Sequence, residues 1–390
     1  MIPAHLPVQR PRDAKLLVVD AYGRISNAPR ARFVDFLQRG DLVIANDAAT
    51  IPASLHGTHA PTGATIEVRL ASRRSLAGSD VRRFLAIVFG SGDFRTRTED
   101  RPPPPALAGG DRLTLGPLTA TVQAVLGHPR LVTLGFDGTP QEVWAGIARH
   151  GRPIQYAHVP SPLALWDVWT PIAGPPVAFE PPSAGFALDW RSIHAMRDRG
   201  IAFATITLAA SISSTGDAAL DRRLPFDEAY RIPESTASAI RRTVKQGGRI
   251  VAVGTTVVRA LEHAASVTGT VPSGDGLADE RIGPESGLQI VDVILSGTHE
   301  PDSSHYQLLR AFADDVTLDA ASDALRSRGY RTHEFGDSVL IEKMKYTENP
   351  GNTDKLDIIQ PRDEKSTDRS VAMGGARRDQ CRDVRQLLRL

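Results

Sequence analysis

The sequence of 390 residues holds one cysteine, Cys381. A lone thiol excludes an internal disulfide framework and a thiolate metal cluster, and it suits a reducing, cytoplasmic setting. Its polar surroundings set it apart from catalysis. An excess of charge is missing too: 46 Lys and Arg stand against 45 Asp and Glu, for a net charge of +1. No overall basic field gathers nucleic acid, so such a partner has to be met by a local patch. No apolar run reaches the roughly 18 residues that span a bilayer, and the opening "MIPAHLPVQRPRDAKLLVVD" is rich in proline and polar residues. The expectation is a soluble protein without membrane contact. Internal repeats are also absent.

Two-fifths of the chain is apolar, enough for a sizeable core in two domains or one large one. "KLLVVD" and "GDLVIAND" read as strands and "RFVDFLQ" as a short helix, all signals of an α/β body. From about residue 55 the character changes. "TIEVRLAS", "RFLAIVFGS", "RLTLGPLTATVQAVLG" and "RLVTLGF" are short strands separated by Gly, Pro and Asp turns, which predicts a small β-barrel. "RTEDRPPPPALAGGD" falls inside it as a connecting loop, because prolines donate no ladder hydrogen bonds. From Thr139 helices and strands alternate again, so the predicted fold is α/β, a helix-covered sheet interrupted by an inserted all-β barrel-like domain. The boundaries are residues 1–54 and 139–345 for the α/β domain, 55–138 for the barrel and 346–390 for a disordered tail.

Several segments carry candidate chemistry. In "IVAVGTTVVRALE" a buried strand enters a helix across Gly254. The free amides of such a helix start fit a carboxylate or phosphate, with Thr255 or Thr256 serving equally as a cap. Arg259 lies one turn on and could face the same mouth. "LSGTHEPDSSHYQLLRAF" holds His299 and His305 as polar or acid-base groups, and Ser303 or Ser304 can cap the helix that follows. Two histidines six residues apart without a clear third ligand argue against a metal. Asp47 ends a strand at the carboxyl edge, where open α/β sheets bind ligands. "HEFGDSVLIEK" places Glu334 and Asp337 around Gly336, as a carboxylate pair or an ordinary turn. "EPPSAGF" offers Ser183 and Gly185, where backbone can approach a flat ligand. "LPFDEAYRIP" puts Glu228 and Tyr230 in a loop.

Taken in order, these blocks resemble the S-adenosylmethionine:tRNA ribosyltransferase-isomerase family. "RDAKLLVVD", "GDLVIANDAATIPASLHG", "TGATIEVRL", "PPSAGFAL", "GGRIVAVGTTVVRALE", "VDVILSGTHEPDSSHYQLLRAF" and "YRTHEFGDSVLI" are collinear over about residues 10–342. The resemblance implies an α/β body interrupted by a β-barrel. It implies transfer and isomerisation of the ribosyl part of S-adenosylmethionine onto 7-aminomethyl-7-deazaguanine in tRNA, giving epoxyqueuosine with loss of adenine and methionine. S-Adenosylmethionine is then a substrate, and no metal or separate cofactor is needed. A cytoplasmic monomer with tRNA as partner is expected. On this resemblance Glu228 is the general base, His299 a second catalytic group, and Arg259 supplies charge. Thr255, Thr256, Ser183, Gly185, Tyr230, Ser303 and Ser304 contact substrate, with Asp47 and Asp337 in support.

The sequence departs from the family pattern at identifiable places. Ala48, Ala49 and Ser54 stand where the family has threonine and arginines, and Ala187, Leu224 and Phe226 where it has histidines. Ala209–Ser214 replaces a segment rich in histidine and glycine. These losses leave open two other outcomes: a paralogue that uses S-adenosylmethionine with a small-molecule acceptor, or a weakened protein that only binds S-adenosylmethionine or a nucleotide.

Overall fold

Runs of β-branched and leucine residues form the central strands Leu42–Asn46, Ile250–Val253 and Val293–Gly297, which are buried along nearly their whole length. Strands in that position need helices on both faces. In this computed structural model, which describes residues 2–5, 13–301 and 303–345, they belong to a nine-stranded sheet. From edge to edge its strands are Gly274–Ala278, Glu228–Ile232, Ala202–Leu208, Leu42–Asn46, Ile250–Val253, Val293–Gly297, Ser338–Glu342, Lys15–Val19 and Ile25–Pro29. The four from Ala202–Leu208 to Val293–Gly297 are parallel, and antiparallel pairs flank them. The predicted tail over 346–390, with Cys381, lies outside the described residues.

Because successive strand residues point to opposite faces, the sheet divides its side chains between two cores. Leu42, Ile44, Ile250 and Ala252 face one side with Ala237 and Ile240 of the helix Glu234–Lys245 and Val257 and Leu261 of the helix Thr255–Ala265. Val43, Ala45, Val251 and Val253 face the other, against Met196 of the helix Trp190–Asp198 and Phe33 of the 3-10 turn Arg30–Phe36.

The predicted barrel is closed. Its antiparallel strands run Leu118–Val125, Leu131–Phe136, Arg83–Phe89, Thr65–Ser72, Ser54–His59 and Arg112–Leu115, the last pairing back to the first. Val68, Phe84 and Leu134 from its strands join the same apolar cluster as Leu42 and Ile44 of the sheet. The helix Pro140–His150 follows directly. Its start is set by Thr139, which accepts from the Glu142 amide (3.3 Å) while Glu142 accepts from the Thr139 amide (2.7 Å), with proline in the first turn.

One element differs from the sequence reading. "EAYRI" is a strand, Glu228–Ile232, paired antiparallel to Gly274–Ala278 and to the end of Ala202–Leu208. Prolines on both sides disguise it as a loop, and its partner "GDGLA" lacks the β-branched residues that mark strands.

The barrel also buries charge. Glu67 accepts from the Ser54 hydroxyl (2.8 Å), from Arg69 Nε (2.7 Å) and from Arg101, which the proline-rich loop delivers. Arg101 is fixed in turn by the carbonyls of Gly90 and Gly92, each at 3.0 Å. Burial alone would raise the Glu67 pKa, but the two guanidiniums bring it down to about 2. Removing one member leaves uncompensated charge inside the protein. Glu67→Ala is therefore expected to cost about 3–5 kcal/mol, read as a lower urea midpoint at pH 7; an unchanged midpoint would show the triad to be dispensable.

Candidate active site

The strand Ile250–Val253 ends at Gly254, whose φ of 101° only glycine adopts without strain. That turn starts the helix Thr255–Ala265 at the carboxyl edge of the sheet, and no side chain caps it. The next strand, Val293–Gly297, leads into Thr298 and His299 at the same edge. A cavity of about 230 Å³ opens there, lined by Thr255, Thr256, His299, Ser183, Glu180 and Glu334 among others. Carboxyl ends of parallel strands are where open α/β sheets place ligands. A larger cleft of about 830 Å³ adjoins it and shares Ser213, Ser214 and Ser303.

The cavity wall is a set of hydrogen-bonded titratable groups. Thr255 Oγ1 bonds His305 Nδ1 at 2.8 Å, and His299 Nε2 bonds Ser296 Oγ at 3.0 Å. The two imidazoles stack with centroids 4.5 Å apart. Burial, then the Arg259 charge, pushes His305 down to about 4; burial, then His305 and His333, pushes His299 well below its ordinary value. Both are neutral at pH 7. Glu334 accepts from His158 Nε2 at 3.0 Å, and this hydrogen bond and charge overcome burial to hold it ionised. His333 stacks on His158 at 4.2 Å and has φ of 69°, a left-handed conformation rare for a side chain of its size. Glu180 accepts from the Tyr156 hydroxyl and from the Ser213 amide (3.0 Å). Burial, then the Glu334 charge, raises it to about 7.

Of the residues named from sequence, Thr255, Thr256, His299, His305, Ser183, Ser303 and Glu334 meet at the cavity. Ser303 also caps the helix Ser304–Leu309 by accepting from the Tyr306 amide, and Ser304 lines the larger cleft. Thr255 is not a cap; Gly254 holds that position and the threonine hydroxyl goes to His305.

The others sit outside that cavity, with Arg259 on the larger cleft beside Ser304. Glu228 is fully buried beside a crevice of about 30 Å³ behind Thr255, and both its oxygens are engaged: one by the Ser211 amide and hydroxyl (2.8 and 2.9 Å), the other by Arg259 (2.6 Å). A carboxylate so neutralised does not serve as a free general base. Arg259 lines the larger cleft, but its guanidinium is already engaged by Glu228 and the carbonyls of Phe226, Ala278 and Glu280. Asp47 accepts from Thr205 and Thr207 hydroxyls at 2.9 and 2.7 Å. Asp337 accepts from the amides of Lys15 and Arg331, both at 2.8 Å, and ties two strands together. Tyr230 bonds His263 at 2.9 Å on the sheet, and Gly185 gives close approach to Thr170 rather than to a ligand.

Comparison with known proteins adds a decisive observation. The sequence model of a family described as "Queuosine biosynthesis protein" matches residues 2–341. The chain belongs to the queuosine biosynthesis protein family. A relative from Citrifermentans bemidjiense named S-adenosylmethionine:tRNA ribosyltransferase-isomerase is 32% identical, covering 87% of this chain and 97% of its own. One of the same name from Methylobacterium sp. (strain 4-46) is 33% identical, covering 86% and 93%. The crystal structure of an S-adenosylmethionine tRNA ribosyltransferase from Thermotoga maritima is 23% identical, with a TM-score of 0.44, covering 87% of this chain and 95% of that one.

Within the queuosine biosynthesis family pattern, the departures seen in sequence become packing. Leu224 and Phe226 are buried, and Ser54 joins the Glu67 triad. Sequence reasoning missed Glu180, Tyr156, His158 and His333. Only "THEF" carried a visible sign, a histidine beside a glutamate; Glu180 precedes two prolines with nothing to mark it.

The raised Glu180 pKa means that the folded state holds a proton which the unfolded state releases above about pH 4.5. Stability is then lost as pH rises from there through 7. Glu180→Gln removes this loss, since its amide can donate to Tyr156 Oη while that hydroxyl turns to the Ser214 carbonyl at 3.1 Å. The variant is expected to match wild type near pH 4.5 and to be more stable at pH 8 by up to about 3 kcal/mol, measured as melting temperature against pH. Parallel curves at all pH values would count against a protonated Glu180.

Proposed function

We propose that this chain is an S-adenosylmethionine:tRNA ribosyltransferase-isomerase that makes epoxyqueuosine in tRNA, as a cytoplasmic monomer needing no metal or separate cofactor. One observation supports it above the rest. Four of the matching blocks, distant in sequence, form the wall of a single cavity: "PPSAG" with Ser183, "VGTT" with Thr255 and Thr256, "THEPDSS" with His299 and Ser303, and "THEF" with His333 and Glu334.

The uncapped helix start at Thr255 and Thr256 suits the carboxylate of the methionine part, because first-turn amides and the helix dipole both favour an anion. Neutral His299 and His305 hydrogen-bond without repelling a sulfonium. Holding donor and acceptor together in one water-poor site supplies much of the rate of a group transfer. The adjoining cleft of about 830 Å³ receives the nucleotide that leaves the tRNA stack, a deazaguanine too deeply paired or stacked to react in place. Exposed Arg222 and Arg281 on its rim provide the local positive charge that a nearly neutral chain needs to hold phosphates.

Incubation with S-adenosylmethionine and tRNA carrying 7-aminomethyl-7-deazaguanine is expected to yield epoxyqueuosine by nucleoside mass analysis, with adenine and methionine released. Adenine release that requires a small acceptor, or binding without turnover, would replace this reading. The Arg222→Ala, Arg281→Ala double variant is expected to weaken tRNA binding and to lower the slope of log affinity against log salt by about two, read by filter binding across salt concentrations. An unchanged slope would move the tRNA to another surface.

A further inference from the structure

Six carboxyl side chains are buried among the described residues: Asp41, Glu67, Glu180, Glu228, Glu262 and Asp337. Four have a guanidinium partner: Asp41 with Arg249, Glu67 with Arg69 and Arg101, Glu228 with Arg259, and Asp337 with Arg331. Glu262 accepts three backbone amides, from Gln289, Ile290 and Val291. Glu180 has neither arrangement. It receives the Tyr156 phenol and the Ser213 amide and hydroxyl, all neutral donors, and no basic side chain pairs with it. It is also the one of the six that lines the cavity of about 230 Å³ at the carboxyl edge.

The groups around it add no compensating charge. Glu334 and Glu300 are on the same cavity, and Glu334 is ionised and accepts from His158 Nε2. His299, His305 and His333 line the cavity, and burial pushes all three below their ordinary values. A buried carboxyl is normally paired, because desolvation of its charged form is costly. Here the missing partner faces a cavity, so it can be brought by a ligand.

We propose that Glu180 is the counter-ion for a cationic centre of bound substrate, either a sulfonium or a protonated primary amine. The inference rests on S-adenosylmethionine being the donor and an aminomethyl base the acceptor, which together present both cations. When the cation enters, the Glu180 O–H bond breaks, the electron pair stays on the carboxylate and the proton passes to solvent. Binding is thus coupled to proton release on the acid side of neutrality, in keeping with a carboxyl raised to about 7.

The test is calorimetry of wild type, Glu180→Gln and Tyr156→Phe in two buffers of different ionisation enthalpy at pH 6.5. Ligands are S-adenosylmethionine against S-adenosylhomocysteine, which lacks only the methyl and the sulfonium charge, and tRNA with aminomethyl-deazaguanine against tRNA with guanine. Wild type is expected to release a proton on binding the cationic ligand. Glu180→Gln is expected to lose that release and at least about tenfold of the preference for the charged ligand. Loss of the sulfonium preference identifies the donor as occupant; loss of the amine preference identifies the acceptor. Tyr156→Phe removes a hydrogen bond that lowers the Glu180 pKa, so it keeps the preference and moves its pH dependence upward. A cooperative melt of each variant shows that it is folded. If Glu180→Gln binds with both preferences and the proton release unchanged, the inference falls while the donor reading stands. If wild type binds neither S-adenosylmethionine nor S-adenosylhomocysteine, both fall.

Discussion

The parallel register of Leu42–Asn46, Ile250–Val253 and Val293–Gly297 is the constraint on which the site depends. Because Ile250 to Val253 pair in step with Leu42 to Ala45 and Val251 to Val253 with Val293 to Leu295, the strands end level with one another. A one-residue slip would exchange the two faces of the sheet and turn Val251 and Val253 away from their core. It would also shift Gly254 from the point where the chain must take φ of 101° to start a helix. The cavity is therefore a consequence of strand pairing before it is a collection of polar side chains.

Most of the carboxylates inside this scaffold are paired with guanidiniums. Arg259 and Glu228 join a helix to the strand next to the sheet edge, Arg249 joins Asp41 and Glu342 across the sheet, and the Glu67 triad closes the barrel against its proline-rich loop. Each pair links elements far apart in sequence, and each is costly to break on one side. The cavity departs from that rule. Its imidazoles are neutral and its carboxyl groups outnumber its cations, which gives it a polarity that the remainder of the interior lacks.

Much of the fold was legible because its signals are local. The buried runs "LVIAN" and "IVAV", the return of helix and strand after Thr139 and the turn-separated strands of the barrel depend on neighbours within a few residues. The strand at Glu228 was not, since proline flanks and a glycine-rich partner give no periodic sign. For the site, the blocks that converge were visible, but their internal pairing was not. Glu228 and Arg259 each looked available for chemistry, and only the 2.6 Å bond between them, 31 residues apart, removes both. Glu180 failed in the opposite sense: its significance lies in a partner that is absent, and no pattern of residues records an absence in three dimensions.

The shared apolar cluster of barrel and sheet has a mechanical consequence. Val68 and Phe84 on the barrel and Ile44 and Ala252 on the sheet belong to one continuous packed interior. Separating the two would expose that interior to water along its whole extent, at about 25 cal/mol for each Å². The barrel is therefore a fixed buttress and not a hinged flap. Access for a substrate as large as a tRNA nucleotide has to come from the segments at the carboxyl edge, where the turn at His333 already holds its backbone away from rest.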